Sequence, residues 1–159
     1  TPLYSSAASD VYKRQELSYL KKIVKNKKLD QNVIFLGKAN DSEKKYIFSK
    51  TDLMIMPTID ESQNRSIEGF GIAYIEAALF GIPSIATNVG GASEAVLHNK
   101  TGIVLNHIDE LEVNFRELLT NQEKRKNLGR EANIRVQNEL QWENITNQYV
   151  SLISRITEI

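Results

Sequence analysis

EGFGIAYIEAALFGIPSIAT, residues 68–87, reads as a tight turn, a helix and a strand in direct succession. Gly69 and Gly71 stand where a backbone bends sharply or comes close to a ligand, because glycine adopts conformations that other residues resist. Ile72–Phe80 is helix-compatible in composition. Gly81-Ile82-Pro83 then ends the helix, with a glycine just past its last turn and a proline that cannot continue it. Ser84–Thr87 follows as a strand. A turn that feeds a helix N-terminus presents unpaired N–H groups and the positive end of the helix dipole, an arrangement that attracts phosphate.

Two carboxylates bracket the turn. Glu68 precedes it, and Glu76 lies about 6–8 Å down the helix axis at 1.5 Å per residue, with a side chain that leans back toward the N-terminus. That is about the separation between a diphosphate and the ribose of the same nucleotide. A carboxylate beside a diphosphate repels it, so hydroxyl recognition is the chemistry that fits. Glu76 can accept hydrogen bonds from ribose, and Glu68 can reach a sugar on the other side of the phosphates. Taken alone, two solvated glutamates are the ordinary reading, and the surrounding sequence decides between the two.

Outward from this stretch, helix-like and strand-like segments alternate, the pattern of a parallel sheet covered by helices, an α/β fold. Upstream, Glu16–Lys28 places Leu17, Leu20, Ile23 and Val24 on one helical face, and Val33–Leu36 reads as a short buried strand ended by Gly37. Asp41 or Ser42 can cap a helix running toward Lys50, Leu53–Met56 is the next strand, and Thr58–Ile67 is a polar loop. Downstream, Gly90-Gly91 opens a short helix through Leu97, and Thr101-Gly102 turns into a strand at Ile103–Leu105. Helices near Asp109–Thr120, Gln122–Glu139 and Glu143–Ile156 complete the chain, with no internal repeat.

Composition narrows the function classes. The 159 residues hold 20 basic and 20 acidic side chains, so no charge excess favours nucleic acid. There is no cysteine, which rules out disulfides and thiolate metal sites and fits a reducing cytoplasm. No apolar run reaches the roughly 18 residues of a membrane span. His98 and His107 have no third ligand at a metal-binding spacing and read as surface histidines. Arg65 reads as an exposed charge in the polar loop, Glu94 as a cap on the Gly90-Gly91 turn, and Lys21–Lys28 as a solvated helix face. Trp142 and Tyr149 are expected to anchor the last helix by packing.

The run EGFGIAYIEAALFGIPSIATNVGGASEAVLHNKTGIVL resembles the donor-binding signature of retaining glycosyltransferases of the two-domain GT-B architecture, the glycogen-synthase-like and mannosyltransferase-like group. The shared pattern is Glu, seven residues, Glu, then Ala-x-x-x-Gly-x-Pro, Gly-Gly-x-x-Glu and Thr-Gly. NVIFLG and TDLMIMPT resemble the two preceding strand segments, and QWENITNQYVSLI the closing helix, so the likeness runs from Asn32 to Ile153. Many spaced elements in one order make it specific, where a lone GxG would be weak.

The resemblance implies a Rossmann-like, doubly wound parallel sheet, the C-terminal half of a GT-B enzyme, and transfer of a hexose from a nucleoside-diphosphate sugar to a hydroxyl acceptor. Glu68 would hold and orient the transferred sugar as the catalytic position. The turn from Gly69 through the amides of Phe70, Gly71 and Ile72 would face sugar and diphosphate, and Glu76 the ribose. Gly37 and Lys38 would lie by the nucleobase, with Pro57 and Thr58 near the same cleft. It implies no cofactor and no obligatory metal. The donor would be GDP-mannose, which the GIAYIEAA wording favours, or a UDP-sugar. The implied location is cytoplasmic, with an acceptor-binding N-terminal domain as partner and as the means of any peripheral membrane association.

Two expectations concern the extent of the domain. TPLYSSAASDVYKRQ, residues 1–15, reads as a translated sequencing adapter and is set aside, leaving 16–159 as a partial C-terminal nucleotide-sugar-binding domain. The two opening strands and the basic Gly-Arg…Lys segment of related enzymes have no counterpart between Glu16 and Val33. In the strand order 3-2-1-4-5-6, Val33–Leu36 therefore lacks its neighbours, and either pairs with Leu53–Met56 or stays unpaired. The chain alone is expected neither to transfer sugar nor to bind donor tightly. A dinucleotide oxidoreductase would need GxGxxG directly after a first strand, which EGFGIA does not supply. The remaining alternative is a non-catalytic nucleotide-binding domain of the same fold.

Overall fold

The computed structural model describes residues 16–59 and 69–157 and divides the chain into two compact units, one ending at Asn40 and one beginning at Asp41. The expected roles of Glu68 and Arg65 and of the adapter-like residues 1–15 fall outside the described residues.

In the first unit, residues 16–26 form helix α1, which leaves through Lys28 at a positive φ of 56° while the Leu29 N–H donates to the Val24 carbonyl at 2.9 Å. Residues 33–37 are assigned to no helix or strand. Ile34 is 80% and Leu36 60% exposed, so the buried strand read from this apolar run is not found, and the unpaired alternative is. The run has strand composition, but burial requires ladder partners on either side. Phe35 takes the Lys21 ammonium over its ring, 5.9 Å from the centroid.

The second unit carries α2 (Asp41–Ser49), β1 (Met54–Met56), α3 (Ile72–Leu79), β2 (Ser84–Thr87), α4 (Ala92–Ala95) and β3 (Gly102–Leu105). A 3-10 turn at Ile108–Glu110 leads into α5 (Leu111–Thr120), α6 (Gln122–Asn138) and α7 (Trp142–Thr157). The three strands form one parallel sheet in the order β1-β2-β3, with Ile55, Ile85 and Ile103 level across it. Each parallel step needs a crossover, and α3 and α4 supply them.

Alternation along the strands builds two cores. Ile85, Ile103 and Leu105 pack with Leu118 of α5 and Leu128 of α6 on one face. Ala86 and Val104 pack on the other with Tyr74 of α3 and with Ala92, Ala95 and Val96 in and after α4. Both faces are covered, so β2 and β3 are buried at every position, Ser84 and Thr87 of β2 included.

Helix α6 fastens the helices around it. Ala132 and Val136 pack against Ala78 of α3. Its polar side chains meet backbone carbonyls at the C-terminal ends of three helices. The Asn133 amide donates to Ala78 and Leu79 at the end of α3, at 3.2 and 2.7 Å. The Arg135 guanidinium donates to Glu94 and Ala95 at the end of α4, at 2.7 and 2.8 Å. Arg125 does the same at Leu118 and Leu119 of α5, at 2.6 and 3.1 Å. The two arginines also place positive charge at the negative ends of helix dipoles.

The expectation that Trp142 and Tyr149 anchor α7 is not met: they are 83% and 64% exposed, on a helix that also exposes Ile153 and Ile156. Aromatic anchoring requires a facing apolar surface, and among the described residues none covers this side of α7.

Candidate donor-binding site

The turn at Gly69–Gly71 and helix α3 form as their residues dictate. Gly71 is the residue before the helix and is left-handed, at φ 77° and ψ 60°. A side chain there would also meet the Tyr74 ring, whose Cε2 lies 2.6 Å from the added carbon. Only glycine satisfies both conditions. Gly71 therefore brings no side-chain cap, and no acidic residue occupies the first turn of α3. The positive end of the helix is left to the turn that precedes it.

Three contacts tie together the segments around this turn at the C-terminal ends of the strands, where open parallel sheets place their ligands. The Tyr74 hydroxyl donates to the Met56 carbonyl at the end of β1, at 2.6 Å. The Thr87 hydroxyl at the end of β2 donates to the Thr58 carbonyl at 2.5 Å. Gly91, before α4, sits so close to the Gly69 carbonyl that an added side-chain carbon would lie 3.2 Å from Phe70 Cα and closer still to the Gly69 oxygen. The Gly90-Gly91 turn is thus a support for the Gly69–Phe70 turn. Tyr74 is 1% exposed, so Tyr74→Phe leaves the Met56 carbonyl short of its donor and is expected to lower stability by about 1–2 kcal/mol. An unchanged urea midpoint would show the hydroxyl to be dispensable.

Glu76 is half-buried on α3, and its Oε1 accepts from Lys44 Nζ of α2 at 2.7 Å. The rings of Phe48 and of Phe80, the residue that closes α3, meet four positions further along at 5.4 Å between centroids. Both contacts advance in the same direction, so α2 and α3 lie side by side and parallel. The Lys44 ammonium is held above the usual lysine value, first by this hydrogen bond and then by the charge of Glu76. A raised lysine pKa contributes to stability below the unfolded value and is lost as pH rises through the folded one, so the pair stays intact through neutral pH. Lys44 lacks any signal in the sequence beyond an ordinary solvated EKK.

The structure therefore brings together Gly69, Phe70, Gly71, Ile72 and Glu76. Phe70 and Ile72 present their side chains outward, 36% and 72% exposed. Gly37, at φ 68°, and Lys38 follow the irregular segment 33–36 of the first unit, and both are exposed. Glu94 caps no turn with its carboxylate; the group engaged is its carbonyl, by Arg135. His98 is a surface residue whose Nδ1 accepts from the Val104 N–H at 3.1 Å. An open recess of about 490 Å³ beside His98, Lys100 and Asn106 shares no residue with the α3 turn. Among the described residues no cluster of His, Cys, Asp or Glu could hold a metal ion, and no helix is long and apolar enough to cross a membrane.

Comparison with known proteins identifies the family and the fold. Residues 13–135 match the family model described as Glycosyl transferases group 1. The GDP-mannose-dependent alpha-(1-6)-phosphatidylinositol monomannoside mannosyltransferase of Mycobacterium tuberculosis is 32% identical over 115 residues, which is 71% of this chain and 30% of that protein. The N-acetyl-alpha-D-glucosaminyl L-malate synthase of Bacillus anthracis is 30% identical over 139 residues, covering 86% of this chain and 34% of that protein. The chain thus spans about a third of the length of these curated relatives.

Among solved structures, sucrose-phosphate synthase from Thermosynechococcus elongatus superposes with a TM-score of 0.73 at 25% identity, over 91% of this chain and 35% of that one. Anabaena HepE in complex with UDP and glucose gives 0.74 at 21% identity, over 91% of this chain and 38% of that one, a likeness of fold. The parallel sheet and its covering helices are those of GT-B glycosyltransferases. With the turn, the helix and the second glutamate in place, and a family model matched along most of its length, the chain belongs to the glycosyl transferases group 1 family.

Proposed function

We propose that this chain is the donor-binding part of a retaining glycosyltransferase that moves a hexose from a nucleoside-diphosphate sugar to a hydroxyl acceptor. The observation that carries the reading is the braced Gly69–Gly71 turn, opening onto an uncapped α3 with Glu76 one turn inside it. The diphosphate lies at the positive end of α3. As the bond from the anomeric carbon to the diphosphate breaks, negative charge grows on the leaving group, and the amides of Phe70, Gly71 and Ile72 stabilise it. Glu76 accepts from the ribose hydroxyls, and Glu68 holds the transferred hexose. No resident cofactor or metal takes part. GDP-mannose is the favoured donor because a related mannosyltransferase uses it, and a UDP-sugar is the alternative. Transfer is proposed for a polypeptide of the relatives' full length, in which a further domain binds the acceptor in the cytoplasm or at the membrane face.

The test is turnover of UDP-, GDP- and ADP-sugars by that longer enzyme, with Glu68→Ala and Glu76→Ala alongside. One donor should be consumed; Glu68→Ala should lower kcat about a hundredfold, and Glu76→Ala should mainly raise KM, about tenfold. Donor consumption indifferent to both substitutions would overturn the proposal, as would binding without any turnover, the behaviour of a non-catalytic nucleotide domain.

A further inference from the structure

We infer that Lys44 is a positioning residue for nucleotide binding, holding the Glu76 carboxylate by one oxygen so that the other accepts from the ribose. The inference rests on the reading of Glu76 given above and adds to it a residue on a different helix.

Four observations lead there. First, the contact is a charged hydrogen bond of 2.7 Å between side chains 32 positions apart, so only the packing of α2 on α3 creates it. Second, that packing is registered: Phe48 of α2 and Phe80, the residue that closes α3, meet four positions beyond Lys44 and Glu76. A long flexible lysine thereby has its stem fixed at a set height along α3. Third, Lys44 engages Oε1 alone, and among the described residues no protein group donates to Glu76 Oε2. Fourth, the two side chains are 39% and 38% exposed, and ion pairs this open to water add little to stability. A role in keeping the domain folded is therefore a poor account of the pair.

The chemistry of the ligand supplies a better one. An unpartnered glutamate near the positive end of α3 would repel a diphosphate bound there, and its carboxylate would swing among rotamers. With Lys44 attached the pair is neutral, and the carboxylate plane is held before the nucleotide arrives. A ribose then finds an acceptor whose ordering has already been completed, which raises affinity. The ammonium acts through Glu76 and needs no contact with the ligand. The ligand class follows: a nucleotide with intact ribose hydroxyls, distinguished from its 2′-deoxy counterpart.

The ribose-to-deoxyribose preference reads this out directly. GDP against 2′-deoxy-GDP, and UDP against 2′-deoxy-UDP, are titrated at millimolar concentration into the ¹⁵N-labelled chain and followed by amide shifts. The unsubstituted chain is expected to prefer the ribonucleotide about tenfold, the size of a hydrogen bond to a charged acceptor. Glu76→Gln should reduce the preference to about twofold, and Lys44→Met should lower it at least about threefold, as should Lys44→Arg, whose forked guanidinium takes both carboxylate oxygens. The double variant should be no worse than Glu76→Gln alone, since both changes act on one interaction. Lys44→Gln replaces Lys44→Met if the latter does not fold.

Failures are separable. If Glu76→Gln loses the preference and Lys44→Met keeps it, the assignment of Lys44 is wrong while the reading of Glu76 stands. If Lys44→Met weakens both nucleotides equally, its role is structural or directed at phosphate, and the inference is overturned. If Glu76→Gln itself keeps the preference, or no nucleotide binds the unsubstituted chain, the ribose reading falls and this inference with it.

Discussion

Gly129→Val is expected to lower the stability of the domain by about 3 kcal/mol or more, or to prevent folding. Gly129 is buried in the middle of α6, where glycine otherwise weakens a helix. Its reason is contact: an added carbon would lie 2.9 Å from the Gly81 carbonyl carbon, closer to its oxygen, and 3.1 Å from Pro83 Cδ. Gly81 cannot retreat. Its N–H donates to Ala78 at 2.9 Å, the Ile82 N–H donates to Ala77 at 3.1 Å, and Pro83 leads straight into buried β2. α6 would have to lift instead, and with it the Asn133 and Arg135 contacts that hold the ends of α3 and α4. Gly129→Ala gains up to about 1 kcal/mol in helix propensity and should still destabilise, which isolates the clash. Thermal melts decide the matter: a drop of about 10 °C is expected for the valine variant. A melt within about 2 °C of the unsubstituted chain would mean that α6 slides clear at little cost.

Gly91→Val is expected to do the opposite, leaving the fold largely intact and disabling the site. The backbone of Gly91, at φ −84° and ψ 8°, suits any residue, so the cost is again contact, here with Gly69 and Phe70. The partners differ in what yields. α4 is held from below by Ala92, which is fully buried, and by Arg135 at its end. The Gly69–Phe70 turn is exposed and moves first. On the proposed reading, displacing it would carry the amides of Phe70 and Gly71 away from the diphosphate, and a shift of about 1 Å in a positioning group can cost about a hundredfold. Donor turnover by the longer enzyme should fall by that order while the melt moves by only a few degrees. Undiminished turnover would show that the turn does not contact the donor.

Much of the fold was legible because it is punctuated locally. Gly81-Ile82-Pro83 ends α3 where expected, and the all-apolar Ile103–Leu105 sits in β3, buried on both faces. The turn and helix of the candidate site were legible for the same reason, since Gly71 and α3 follow from their own residues. The errors fall where burial depends on a neighbour. Val33–Leu36 has the composition of a core strand and is exposed for want of ladder partners, and Trp142 and Tyr149 look like anchors on a helix face that nothing among the described residues covers.

The residues of 68–87 and their order suffice for a turn, a helix N-terminus and a glutamate on the fifth helical residue, because backbone sterics and hydrogen bonding act over a few positions. The spaced motif that places the chain among group 1 glycosyl transferases is likewise written in the sequence. What supports the turn is not: Gly91 against Gly69, Tyr74 beneath Gly71, Asn133 and Arg135 reaching back from α6, and Lys44 on Glu76. These residues read as ordinary small, apolar or solvated side chains until packing joins elements up to 55 positions apart. Their roles depend on the distances between helices, which only the assembled sheet and its two cores set.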